Sequence, residues 1–445
     1  MVKVLCASLL FSGAALVAQS LAATSAPIST AAAQISLDQA VHLAESNEPA
    51  FTAALAQGRL ARLDRSVAIA SLLPTVTYHN QYLFTQGNGS TDRIGQTTTS
   101  PAPRFIANNA VHEYASEGIV NETIGVQQFS AVAAANARAA QAAAEAEIAR
   151  RGLFSAVVAL YYGVAAAETK LAVVQRSKDD ADHFLNITQQ REQAREAAHA
   201  DVVKAELQQQ QRARDVQDAT LAASTARLDL AVLLFPDPRT PFQTQPAAPP
   251  VLPDRSVIDA DASKNNPEMM RALAALHASE ADVTTARAAY LPDLGLNVTY
   301  GIDAPQFAIN GPNSTRNLGY SAMATLDIPI WDWLSTDHKV KQSEIRRNLA
   351  RVALSATQRR LIANLSELYD GAVTARDQLS SLDASVTTAQ ESLRLTELRY
   401  TGGEGSVLEV VDAQNSLLAA EVARADSVVR YQLALANLQT LTGRF

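Results

Sequence analysis

The chain has 445 residues, a formal net charge of −8, 5% aromatics and a single cysteine. The acidic balance excludes nucleic-acid binding as the main task, and the sparse aromatics beside abundant alanine exclude one large compact core.

Read in chain order, Lys3 followed by an apolar run over residues 5–17 and the small residues Ser20-Leu21-Ala22-Ala23 is an export signal, residues 1–22. The run is shorter than the roughly 20 residues of a spanning helix. Cys6 lies at its start, away from the cleavage site, so the mature chain has no thiol for disulfides, metal binding or nucleophilic attack. Residues 23–235 then form a first repeat. Helical periodicity runs over residues 37–71 and stops at Leu73-Pro74, and strict alternation follows, with Val76, Tyr78, Tyr82 and Phe84 on one face and Thr75, Thr77, His79 and Gln81 on the other. A return strand near residues 116–124 alternates poorly, and the polar stretch between, with Gly87-Asn88-Gly89, is a loop. From Val126 there is no proline until Pro236, which predicts a very long helical hairpin turning near residues 195–200.

Residues 236–255, with Pro236, Pro238, Pro249, Pro250 and Pro253, are an extended linker, and residues 256–445 repeat the programme. Asn47-Glu48-Pro49 matches Asn265-Asn266-Pro267 and Leu73-Pro74 matches Leu291-Pro292 at an offset of 218, while Leu160-Tyr161 matches Leu368-Tyr369 and Gly163 matches Gly371 at an offset of 208. This period is too long for a solenoid and points to two halves of one object. The second copy alternates more cleanly: Leu294, Leu296, Val298, Tyr300 and Ile302 oppose Asn297, Thr299 and Asp303, and a return strand sets Tyr320, Ala322, Ala324 and Leu326 against Ser321, Met323 and Thr325. After a loop containing Gly311-Pro312-Asn313 and that return strand, Leu361, Leu365, Leu368, Ala372, Ala375, Leu379, Leu382, Val386, Ala389, Leu393, Thr396 and Tyr400 alternate steps of four and three. That is a left-handed coiled-coil repeat, and a helix from Ser335 to Tyr400 is roughly 100 Å long.

Strands of 9–11 residues have the length of tilted membrane-crossing strands, although a soluble antiparallel sheet with one wet face produces the same alternation. Four strands cannot close a barrel alone, so spanning requires several chains to share one. The alanine-rich heptads likewise require many helical neighbours. The seven histidines show no metal-ligand spacing, and Gly402-Gly403-Glu404-Gly405 joins two helices rather than cradling a phosphate. Neither an enzyme nor a metal or other cofactor is expected. What stands out is a pair of acids, Glu409 and Asp412, on one helix face after the second hairpin, with Asp201 at the equivalent place after the first. Acids in a first helical turn also simply favour the helix dipole.

The segment Arg399-Tyr400-Thr401-Gly402-Gly403-Glu404-Gly405-Ser406-Val407-Leu408-Glu409-Val410-Val411-Asp412-Ala413-Gln414 closely resembles the signature hairpin of TolC-type outer-membrane efflux proteins. The duplication, the Leu-Pro strand entries and the export signal fit the same family. The resemblance implies a mainly α fold with a transmembrane β part: a long coiled-coil tunnel in the periplasm, and four strands per chain completing a twelve-stranded barrel in a homotrimer. It implies an outer-membrane location in a Gram-negative-type bacterium, and partnership with outer-membrane lipid, a periplasmic adaptor and an inner-membrane transporter. It places Glu409 and Asp412 in acidic rings at the tunnel's periplasmic entrance, Tyr400 and Asp201 in the links that hold it shut, and Gly402 and Gly403 at the adaptor-contacting tip. Gly405, where other members carry an arginine, and the glycine-free first hairpin depart from the family pattern. The competing reading is a periplasmic coiled-coil structural or adaptor protein. An adaptor needs a compact β domain, and a sensor needs a second spanning run. The cargo is not written in the sequence.

Overall fold

The computed structural model describes residues 33–84, 112–247, 250–304, 306–311 and 316–443. The export signal with Cys6, the Gly87-Asn88-Gly89 loop and Pro312-Asn313 lie outside the described residues. The elements run β1 (Ala33–Ile35), α1 (Leu37–Asn47), α2 (Pro49–Ala70), β2 (Thr75–Phe84), β3 (His112–Ile124), α3 (Val126–Gln193) and α4 (His199–Leu234). They continue with β4 (Phe242–Thr244), α5 (Arg255–Asn265), α6 (Pro267–Ala288), β5 (Asp293–Ala304), β6 (Leu318–Asp327), α7 (Ser335–Thr401) and α8 (Val407–Thr442).

The single helix read over residues 37–71 is two helices with a corner between them. Pro49 has no N–H to give and holds the residue before it out of the helical region, so Glu48 is extended and caps α2 through its side chain. Pro267 does the same in the second copy, where the Asn266 side chain accepts from the Met269 N–H at 2.9 Å. The matched Asn-X-Pro triplets are therefore helix corners.

Strands β2, β3, β5 and β6 form one antiparallel sheet in that order. β3 alternates poorly because Ser116, Gly118 and Glu122 fall on the apolar face. Its neighbours explain the first two. Gly118 lies opposite Tyr78 on one side and Tyr300 on the other, making room for two rings, and Ser116 hydrogen-bonds the Tyr78 hydroxyl at 2.8 Å. Among the described residues no second layer covers the apolar face, and Val76, Tyr78, Val298 and Tyr320 are all exposed on it.

α3 and α7, of 68 and 67 residues, form the long axis, each about 100 Å. Near the sheet the helices lie in the row α2-α3-α6-α7, and toward the hairpins in the row α4-α3-α8-α7. Each row is open at both ends, with a first-half element at one edge and α7 at the other. The strands repeat this, with β2 and β6 at the edges. An 18-residue window of α3 reaches a mean hydropathy of 1.5, so one later run is long and apolar enough to span a membrane by length and composition; valine and leucine supply most of that hydropathy, and 44% of the window is buried within the chain.

Where the halves meet, β1 and β4 pair in parallel and lie on a cluster of Val157, Tyr161, Leu230, Leu234 and Ala436. Full burial of each large aliphatic member is worth about 1.5–3 kcal/mol. Tyr161, 0% exposed, donates to the Ile35 carbonyl at 2.8 Å and accepts from the Gln245 N–H at 2.9 Å. The proline-rich segment is extended but packed: Leu252 is buried, and the Tyr431 hydroxyl donates to the Pro250 carbonyl at 3.1 Å.

Candidate functional site

The two hairpin tips lie side by side. In the second, Gly402 ends α7 and Gly403 turns the chain at φ +84°, in the left-handed region. Glu404 then donates back to the Arg399 carbonyl at 2.9 Å, and the Ser406 hydroxyl caps α8 by accepting from the Glu409 N–H at 3.4 Å. The first hairpin makes the same turn without glycine, over residues 194–198 and so slightly earlier than expected. Arg195, the counterpart of Gly403, takes φ +62°, and Glu196 donates to the Arg191 carbonyl at 2.7 Å. A left-handed non-glycine residue costs about 1–2 kcal/mol. That strain is borne here in a turn already closed by two helices.

Tyr400 is the bridge between the tips. Its buried ring lies 5.1 Å from that of Phe184, and its hydroxyl donates to Thr188 Oγ1 at 3.3 Å. Arg191 stacks its guanidinium 4.8 Å above the same ring and donates to the Tyr400 carbonyl. Arg191 was not singled out from the sequence. The signal was present in the repeat, since Arg191 and Arg399 occupy matched positions one turn before each hairpin. Gly405 is held against this bridge: a Cβ there would sit 3.0 Å from the Tyr400 nitrogen, so any side chain would push on the end of α7.

Glu409 and Asp412 share an exposed face of α8. Arg399 Nη1 lies 3.7 Å from Glu409 Oε2, whereas Asp412 makes no hydrogen bond or ion pair among the described residues. Asp201 is half-buried at the start of α4, where its carboxylate accepts from the Ala198 N–H at 3.4 Å. Within one chain the structure therefore joins Tyr400 to Thr188 and Arg191, not to Asp201.

One turn from the bridge toward the sheet, two more carboxyls face each other across α3 and α7. Burial pushes Glu397 up from its ordinary value, and the Asp180 charge pushes it further; the Gln414 amide and His183 offset part of this. Asp180 is also raised, chiefly by desolvation and also by Asp179, against the pull of Arg176 and His183. The folded chain thus holds protons here more tightly than the unfolded chain. This part of the fold gains stability as pH falls toward the ordinary carboxylate range and loses it as pH rises through the raised values. Thermal melts at about pH 5 and about pH 7.5 should show acid stabilisation that Asp180→Asn/Glu397→Gln removes. Equal pH slopes for the two proteins would refute the assignment.

A profile of the outer membrane efflux protein family matches residues 260–444. The chain is 25% identical over 300 residues to the outer membrane protein OprJ of Pseudomonas aeruginosa, covering 66% of this chain and 61% of OprJ. It is 25% identical over 408 residues to the pyoverdine export outer membrane protein OpmQ of Pseudomonas putida, covering 89% of this chain and 83% of OpmQ. Its fold superposes on the Campylobacter jejuni CmeC outer membrane channel with a TM-score of 0.74 at 17% identity, over 92% of this chain and 85% of CmeC.

Residues 260–444 carry the outer membrane efflux protein profile.

The chain's fold, a four-stranded sheet joined to a long helical body, is that of solved outer-membrane channels. The family profile covers the second repeat, while the likeness to CmeC extends over both. The match spans about three fifths of the length of OprJ. Such channels are not enzymes.

Proposed function

We propose that three copies of this chain assemble into a channel-tunnel that exports small molecules or proteins from the periplasm to the exterior, as part of a tripartite pump with a periplasmic adaptor and an inner-membrane transporter. The observation that carries the reading is the open edge running the whole length of the molecule. Lipid cannot satisfy the free N–H and C=O groups of β2 and β6, so a sheet in the bilayer must close on copies of itself. The helices have matching loose ends. α2 exposes Leu60, Leu63 and Val67 in steps of three and four, and α7 exposes Ile345, Leu349 and Val352 in steps of four and three. Two such stripes are complementary halves of a coiled-coil seam. Twelve strands from three chains match the family's barrel, and with the helical rows closed likewise the acids of α8 would ring the tunnel entrance. OpmQ bears the name of a pyoverdine exporter, and a conduit of this kind leaves cargo choice to its pump.

The seam is testable by cross-linking the otherwise thiol-free mature chain. Within a chain, Glu280 on α6 meets Arg351 on α7 at 3.6 Å, and Leu63 on α2 occupies the matched height in the first repeat. Leu63→Cys/Leu349→Cys, treated with a bifunctional maleimide, should give a ladder ending at the trimer. A ladder stopping at monomer or dimer rejects the assembly.

In this reading Tyr400 and Arg191 hold the two hairpins of each chain together when the tip is closed, Gly402 and Gly403 form the tip offered to the adaptor, and Asp201 anchors the start of α4 beside them. Tyr400→Phe keeps the ring on Phe184 and removes only the bond to Thr188, about 0.5–1.5 kcal/mol per chain. Single-channel conductance in planar bilayers should rise, with more frequent openings. A variant as closed as the parent chain would show that the hydroxyl plays no part in closure.

A further inference from the structure

Immediately beyond the Asp180–Glu397 contact, α3, α7 and α8 leave a cavity of about 300 Å³. Its walls are uneven in chemistry. Val173, Leu393 and Leu417 form an apolar side, while Arg176, Asp180, Gln414 and Glu421 supply polar groups. Glu421, whose side chain is 14% exposed, already has its counter-charge in Arg176 at 3.5 Å. Asp180 has none: it makes no hydrogen bond or ion pair among the described residues, and its charged neighbours are Arg176, Asp179 and His183 on its own helix and Glu397 on α7. Gln414 is 4% exposed, and neither its Oε1 nor its Nε2 reaches a hydrogen-bond partner of ordinary geometry, although its amide lies close enough to Glu397 to influence it. A buried, unpaired amide beside an unpaired carboxylate, with hydrocarbon walls, describes the ligand that would complete it.

That ligand needs one positive charge, several N–H donors and an apolar tail. A primary ammonium has three donors and a compact charge. A divalent metal fits less well, since hard cations take six or more oxygens and no group of three or more metal-ligating side chains exists among the described residues. We propose that this cavity binds a primary alkylammonium ion, its head against Asp180 and Gln414 and its tail against Leu393 and Leu417, and that the bound amine braces α3 against α7 and α8. The proposal concerns binding alone and stands whether or not the chain conducts.

The test is calorimetry on the full mature chain in lipid nanodiscs, titrated with n-hexylammonium, with n-hexanol and hexanoate as uncharged and oppositely charged controls. Hexylammonium should bind saturably at about one per chain, and neither control should bind. Asp180→Asn and Gln414→Leu should each weaken binding by about tenfold or more while helical content and oligomeric state are kept. The double variant Glu409→Gln/Asp412→Asn separates the cavity from the acidic face of α8. Loss of binding there, with retention in Asp180→Asn, would place the amine on that face and overturn the proposal. Absence of saturable binding to the unmodified chain would overturn it too.

Discussion

Replacing Tyr161 by alanine should destabilise the protein more than any other single change considered above, by about 3–5 kcal/mol. The ring is 0% exposed and fills the cluster where both halves of the chain meet, so its removal leaves a cavity among Val157, Leu230 and Leu234. Its hydroxyl also joins the Ile35 carbonyl to the Gln245 N–H, which ties the short parallel pair β1–β4 onto α3. Tyr161→Phe isolates the second contribution. It removes the hydroxyl from between two backbone groups that still meet each other at 3.2 Å, and should cost about 0.5–1.5 kcal/mol without opening a cavity. Denaturant melts of both variants check the ranking. If alanine costs no more than phenylalanine, the ring is not packed as described. The matched residue Tyr369 provides the contrast: it is only partly buried, under Arg255 at 5.6 Å from its centroid, and its loss should cost less.

The second large effect is expected on ion flow. If three chains close a tunnel, Glu409 and Asp412 make two rings of three carboxylates about one helical turn apart. At an effective dielectric near 20, a unit charge about 10 Å from another interacts by roughly 1.7 kcal/mol, and several such terms converge on an ion at the axis. Divalent and trivalent cations should therefore block conductance, and Glu409→Ala/Asp412→Ala should raise the blocking concentration by about tenfold or more. The two acids are not equal. Arg399 lies 3.7 Å from Glu409, whereas Asp412 makes no hydrogen bond or ion pair among the described residues, so Asp412→Asn should relieve the block more than Glu409→Gln. Trimer assembly should survive, because both side chains are exposed on α8 and outside its buried stripe of Val407, Val410 and Val411. Planar-bilayer conductance with added multivalent cation decides it. A double variant that blocks like the parent chain would leave these residues as ordinary first-turn acids serving the helix dipole.

Much of this architecture was legible in residue order because its causes are local. The absence of proline allowed helices of 68 and 67 residues, whereas the corner at Pro49, where proline's missing N–H splits the stretch read over residues 37–71, was passed over. Side-chain alternation, which depends only on the pleat of a strand, marked β2, β5 and β6. The four-three stepping from Leu361 to Tyr400 specified a coiled coil, and Gly402-Gly403 specified its reversal. What stayed illegible depends on neighbours distant in sequence. β3 broke the alternation because Gly118 answers to Tyr78 and Tyr300 on two other strands. The turn at Arg195 gave no glycine signal because a closed helical hairpin tolerates a left-handed arginine. The partner of Tyr400 was decided only when α3 was laid beside α7, which put Thr188 and Arg191, rather than Asp201, within reach of its ring and hydroxyl. Local sterics and periodicity therefore determined the elements, while the choice of which side chains meet waited on packing, because contacts between long parallel helices are set by their relative height, and no single helix carries that information.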